Sequence, residues 1–146
     1  MFDAYHQLTT EYDSDAVITL FTPLKQWEDK YRQVIQLGKK LPVLDASLKS
    51  QALSLAGCES QVWCLHEIKE GQLLFALDSD ARIVRGLIVL ILAAVNGKPP
   101  AEIAALDLEA YFAQLNLLEQ LSASRSSGVR AIINHLQQLA ADELAK

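Results

Sequence analysis

The chain offers two thiols for chemistry, and they sit in different settings. Cys58 lies in Gly57-Cys58-Glu59-Ser60-Gln61-Val62-Trp63, where a small-residue turn runs into an apolar, strand-like stretch. Residue type alone favours an inert thiol here, because free cysteine is among the most buried residues. The polar neighbours Glu59, Ser60 and Gln61 weigh against that and place Cys58 on a solvent-facing loop. Gly57 would let the loop swing between a sheltered and an extended position. Val62, Trp63 and the apolar face of a buried helix would supply a dry wall beside it. Cys64 falls inside a predicted strand and reads as core packing. Its sharper alternative is a resolving cysteine that forms a disulfide with Cys58. Cys58, Cys64 and His66 also form a Cys-x5-Cys-x-His pattern, but zinc takes about four ligands in tetrahedral reach. Only Cys64 and His66 share a strand face, so no metal is expected. No Cys-His pair stands at a suggestive spacing, so a cysteine hydrolase lacks its base. His6 reads as part of a tail, and His135 has no obvious partner. Asp78-Ser79-Asp80 could be a catalytic acid cluster, but it is more simply a helix cap, one that also borders the cysteine loop.

These residues need a scaffold. Asp13 to Phe21 reads as a first short helix. Thr22-Pro23 reads as N-cap and first position of a second helix, in which Leu24, Trp27, Tyr31, Val34 and Ile35 recur at helical spacing. Trp27 and Tyr31 are expected in the core. Gly38 and Pro42 end that helix, and a short helical turn is expected around Ala46 to Gln51. Gln61 to Ile68 reads as a strand, Lys69-Glu70-Gly71 as a turn, and Gln72 to Leu77 as an antiparallel strand. The next helix, Ala81 to Val95, is apolar on nearly every side and is expected at the centre. Asn96-Gly97 closes it. Pro99-Pro100 opens a short helix through Ala105, Asp107 caps another, and Ser122 or Ser124 opens a last helix to about Ala145. Contiguous strands with segregated helices give an α+β class, a small antiparallel sheet built on one hairpin and widened to three strands. One domain over residues 1–146 is expected, with 1–12 as a flexible tail.

Composition removes several functions. The net charge of −5 and the dispersed Lys and Arg disfavour nucleic acid. The apolar run Leu87 to Val95 is too short to span a bilayer, which takes ~20 residues, and Met1 to Glu11 does not read as a signal peptide. Two cysteines are not a disulfide framework. A cytoplasmic, reducing setting with free thiols is expected.

Four blocks in order resemble the SufE family of sulfur acceptors for cysteine desulfurases. They are Trp27-Glu28-Asp29-Lys30-Tyr31 with Leu37-Gly38 and Leu41-Pro42; Gly57-Cys58 through Val62-Trp63; Asp78-Ser79-Asp80-Ala81 with Ile83-Val84-Arg85-Gly86-Leu87; and Leu121-Ser122-Ala123-Ser124-Arg125 with Gly128. Phe21-Thr22-Pro23-Leu24 before Gln26-Trp27, and the Leu-Ser-Ala-Ser-Arg-Ser form of the last block, resemble the CsdE branch. The resemblance implies a SufE-like fold and an accessory sulfur carrier rather than a stand-alone enzyme. Cys58 would accept persulfide sulfur from a desulfurase of the SufS or CsdA type, stimulate it, and pass the sulfur to an iron–sulfur scaffold or another acceptor. Arg125 corresponds to the family's supporting arginine, in the first turn of the last helix. Pyridoxal phosphate would belong to the partner, and this chain would hold no cofactor. Cys64 stands where the family usually has an aliphatic residue, which supports core packing. The competing function is a thiol redox protein using Cys58 with Cys64, although a Cys-x-x-Cys motif is absent.

Overall fold

The computed structural model describes residues 1–54 and 60–146, with Leu53 and Ser54 described by their backbone. Gly57, Cys58 and Glu59, and with them the expected swinging loop, lie outside the described residues.

The sheet is antiparallel with strand order β1 (Leu53–Ser54), β2 (Val62–Lys69), β3 (Gln72–Ser79). Glu70 and Gly71 both carry positive φ, 53° and 79°, giving the primed two-residue turn whose twist matches the strands it joins. β3 is buried from Leu73 to Ser79, as its apolar run requires, whereas β2 is exposed from His66 onward. β1 is only two residues long. It pairs Leu53 with Cys64 and Ser54 with Trp63, which supplies the expected third strand.

Helix α5 (Arg82–Val95) is the hub, buried from Gly86 to Val95 without interruption. It packs against α3 (Trp27–Gly38) through two glycines. A Cβ on Gly86 would run into the Val34 carbonyl and lie 2.6 Å from Val34 Cγ1. A Cβ on Gly38 would lie 2.8 Å from the Gly86 nitrogen. The two backbones therefore touch, and no side chain fits between them. Asp13, Asp107 and Ser122 cap α2 (Ser14–Phe21), α7 (Leu108–Leu115) and α8 (Ala123–Leu144), each accepting from a backbone N–H three residues on. The short helices α4 (Ala46–Lys49) and α6 (Pro100–Ala105) and a 3₁₀ turn at Leu118–Gln120 complete the chain. No helix among the described residues is long and apolar enough to cross a membrane.

Four expectations change. Residues 1–12 do not form a free tail: Phe2–Glu11 is helix α1, with Tyr5, Leu8 and Thr9 buried against the rest of the fold. The Tyr5 hydroxyl donates to the carbonyls of Leu77 (2.8 Å) and Pro42 (2.9 Å), so an aromatic with a polar tip pins the segment. His6 accordingly rides on a helix and lies against Gly97. Thr22-Pro23 does not open α3. Thr22 closes α2, its N–H and hydroxyl both reaching the Ile18 carbonyl, and α3 starts at Trp27 with Glu28 and Asp29 in its first turn. Tyr31 is not core but 45% exposed, and Trp27 is half-buried. Asp78 and Ser79 are strand residues, not the cap of α5, whose N-cap position is Ala81.

Candidate functional site

The sheet end that carries the chain into and out of residues 55–59 is held by three acidic or hydroxyl side chains of β3 and the turn after it. Asp78 is 1% exposed. Its Oδ2 accepts from Leu44 N–H (3.0 Å), and its Oδ1 accepts from Ser79 N–H (2.8 Å) and from the Arg85 guanidinium. Arg85 also donates to the Leu41 carbonyl. Lys49 stands 4.0 Å from Asp78 and lies over the Trp63 ring at 4.3 Å. One buried carboxylate thus ties the 41–49 segment to β3 and α5, and buried charge of this kind persists only when paired.

The other flank is tied by its neighbours. The Ser79 hydroxyl donates to the Gln61 carbonyl (2.7 Å) and accepts from Ala81 N–H (3.2 Å). Asp80 Oδ1 accepts from Gln61 N–H (3.1 Å). A triplet whose composition reads as a helix cap instead spends its oxygens on the two flanks of the candidate segment. Its position beside that segment follows from antiparallel pairing, which sets Val62 opposite Ser79 and Trp63 opposite Asp78.

Arg125 sits in the first turn of α8, where Ser122 Oγ accepts its backbone N–H (3.2 Å). Its guanidinium donates to Ser60 Oγ (3.1 Å), two positions beyond Cys58 in the chain. Among the described residues Arg125 forms no ion pair, so its charge and the positive end of α8 both face this corner. Next to it lies a narrow recess of about 20 Å³ with Val62, Val84, Leu87, Val129 and Ile132 as its apolar wall and Ser60, Ser124, Arg125 and Gly128 completing it. Trp63 is not part of this wall. Neighbouring strand residues point to opposite faces, and Trp63 lies under Lys49 instead.

Cys64 is 4% exposed, and burial pushes its thiol up to about 12. Buried and held far from ionising, this thiol packs in the core and lacks the thiolate a nucleophile needs near neutral pH. Among the described residues no three His, Cys, Asp or Glu side chains are placed to share a metal ion. His135 does have a neighbour. Partial burial, followed by the nearby His66, holds its pKa below the ordinary histidine value.

The arrangement at this end offers a guanidinium, a helix N-terminus and an apolar wall beside Ser60 and Val62, where the chain leaves residues 55–59. The Fe-S metabolism associated domain model named SufE matches residues 8–140. The chain belongs to the SufE family. Within it, the sulfur acceptor protein CsdE of Escherichia coli (strain K12) is 48% identical over 130 residues, covering 88% of each chain. That is the branch the sequence resembles. An uncharacterized SufE-like protein of Rhizobium etli is 42% identical over 128 residues, covering 85% of this chain and 86% of its own. A second, from Rhizobium meliloti, is 37% identical over 134 residues, covering 89% and 96%. The solution structure of a hypothetical protein from Thermus thermophilus superposes with a TM-score of 0.73 at 16% identity, over 91% of this chain and 96% of that one, which marks a shared fold.

Sequence reasoning misses three contributors to the site. Ser60 reads only as a polar neighbour, and its pairing with Arg125 spans 65 positions, which no local pattern carries. Arg85 lies inside a recognised block without a role. Lys49 lies in a stretch of ambiguous pattern.

Proposed function

We propose that this SufE-family protein is a sulfur acceptor that takes persulfide sulfur onto Cys58 from a cysteine desulfurase and hands it on. The observation that carries the reading is the 48% identity, over 88% of the chain, to a protein named as a sulfur acceptor. The chemistry is an exchange without net oxidation. The Cys58 thiolate attacks the outer sulfur of the desulfurase persulfide; a new S–S bond forms on Cys58, the old one breaks, and the desulfurase cysteine leaves as thiolate. Arg125 and the α8 N-terminus favour an anion at this corner and so favour a thiolate, whose pKa falls near cations and helix N-termini. The recess of Val62, Val84, Leu87, Val129 and Ile132 is suited to keeping a persulfide from water.

The partner is a pyridoxal-phosphate desulfurase of the SufS or CsdA type, and the cofactor is the partner's. The downstream acceptor is an iron–sulfur scaffold or another sulfur-using protein. A reducing, cytoplasmic setting fits a carrier that works through a free thiol. The protein acts as one accessory SufE-like domain and stimulates the desulfurase. No observation favours the redox alternative, because a buried Cys64 with a raised pKa makes a poor resolving thiol.

The test mixes the protein with a SufS- or CsdA-type desulfurase and ³⁵S-cysteine and maps the label by non-reducing peptide analysis. Label on Cys58, and stimulation lost in Cys58→Ser, are expected. An unlabelled Cys58, with stimulation intact in Cys58→Ser, overturns the reading.

A further inference from the structure

Helix α3 has a buried face and a second, partly open apolar face. Lys30, Val34, Leu37 and Gly38 are buried, with Val34 and Gly38 against α5. Trp27, Tyr31 and Ile35, spaced by four, share another face. That second face borders an open groove of about 510 Å³, with Arg82 of α5 across from it and Glu28 and Arg32 on the rim. Trp27 and Tyr31 stand edge to face, centroids 5.9 Å apart, and Tyr31 is one of few large apolar side chains left exposed among the described residues. Arg82 is exposed and has no ion-pair partner among the described residues, and Arg32 has only a solvent-exposed link to Asp29 at 3.2 Å. A chain of net charge −5 thus turns two arginines toward an aromatic groove. Aromatic and arginine side chains are the groups that most often dominate binding energy at protein interfaces.

We infer that this groove docks an acidic segment of the desulfurase, one that lays an aromatic or aliphatic side chain against the paired Trp27 and Tyr31 rings and sets a carboxylate on Arg82. The inference rests on the sulfur-acceptor reading. Glu28 repels acid at the Trp27 end, so the carboxylate belongs at the Arg82 end. That end adjoins the reactive corner: Arg82 follows Asp80 and Ala81, and Asp80 holds Gln61, the residue three beyond Cys58. A partner seated here also borders Gln61, where the chain leaves residues 55–59.

Titration calorimetry of the full-length protein against the desulfurase of the labelling experiment tests this. Arg82→Glu and Tyr31→Ala, both at exposed positions, each weaken binding at least tenfold. The rate of label transfer to Cys58 at saturating protein stays within about twofold of wild type. Raising salt weakens the wild type more than Arg82→Glu. Variants that bind within twofold of wild type, or that lose transfer rate at unchanged affinity, overturn the inference. So does self-association that Tyr31→Ala abolishes, which would give the groove to a second copy. Wild-type protein that binds through the groove but never carries label defeats the sulfur-acceptor reading alone. Wild-type protein that does not bind defeats both.

Discussion

Replacing Asp78 by Asn keeps the volume and removes the charge from the centre of the sheet end. The native carboxylate is 1% exposed and takes hydrogen bonds from Leu44, Ser79 and Arg85. Removing one partner of a buried pair costs about 3–5 kcal/mol, mostly through the charge left behind. The Arg85 side chain keeps 16% exposure, so water still reaches it in part, and the lower end applies: about 3 kcal/mol. For a chain of this size that lowers Tm by roughly 6–12 °C. Arg85→Met costs less, because Lys49 at 4.0 Å still faces the carboxylate. The assay is urea unfolding of wild type, Asp78→Asn, Arg85→Met and the double variant. The double variant is expected to be more stable than the sum of the singles predicts by at least ~1 kcal/mol, the signature of residues in one network. Additivity within about 0.5 kcal/mol would refute the claim that one carboxylate ties the 41–49 segment to β3 and α5.

Further outcomes follow from single contacts. Gly86→Ala forces a Cβ into the Val34 carbonyl, where backbone must move, so calorimetric stability falls by about 3 kcal/mol or more. Gly71→Ala meets nothing within 4 Å and loses only about 1–2 kcal/mol, from its positive φ. In Cys58→Ser protein the remaining thiol, Cys64, resists iodoacetamide at pH 8 until the chain is unfolded. The native Cys64 thiol stays protonated up to about 12, whereas the unfolded one ionises near its ordinary value of 9.0. The unfolded state therefore binds fewer protons in that window, and stability falls between pH 9 and pH 12. Burial holds Tyr5 and Tyr111 above the usual tyrosine value, which steepens the same fall. On the acid side the depressed His135 makes stability fall as pH drops below about 6.5, and His135→Gln flattens that slope in pH-dependent melts. Arg125→Lys loses the planar fork that holds Ser60. It slows labelling of Cys58 by about tenfold, the scale of one charge-assisted hydrogen bond, with little change in Tm.

The hydrophobic pattern makes the hairpin and the apolar helix α5 legible in the sequence, because periodicity is local and strong there. Local rules fail where a residue's partner is distant. Thr22-Pro23 is a good helix start, yet it sits one position beyond the end of α2, and the hydroxyl satisfies that helix's last turn instead. Trp27 and Tyr31 follow helical spacing as faithfully as Val34 and Leu37, and spacing alone does not say which stripe meets α5. The glycines do: Gly38 and Gly86 admit a backbone only on their own side. Residues 1–12 look like a tail because they are polar and mixed, but the Tyr5 hydroxyl finds carbonyls at Pro42 and Leu77, the second 72 positions away. At the site, the thiol is visible as a residue type and its role comes from the family resemblance. Ser60, Lys49 and Arg85 are not visible as contributors, since each acts through a partner from another element.

The site has a division of labour that composition hides. Asp78 and Ser79 are neighbours on β3, where alternation points them to opposite faces, and Asp80 lies in the turn just beyond the strand. Asp78 reaches back to Leu44 and Arg85, while Ser79 and Asp80 both reach Gln61. One short stretch therefore anchors the chain upstream and downstream of the segment that holds Cys58. A sulfur acceptor of the proposed kind works best with that segment's ends fixed, so that the contact of Arg125 with Ser60 and the groove beside Arg82 stay in register with it. Loss of an anchor should then show first as a change in sulfur-transfer rate at saturating partner. Loss of the groove should show as a change in affinity, so the two classes of variant separate on one titration.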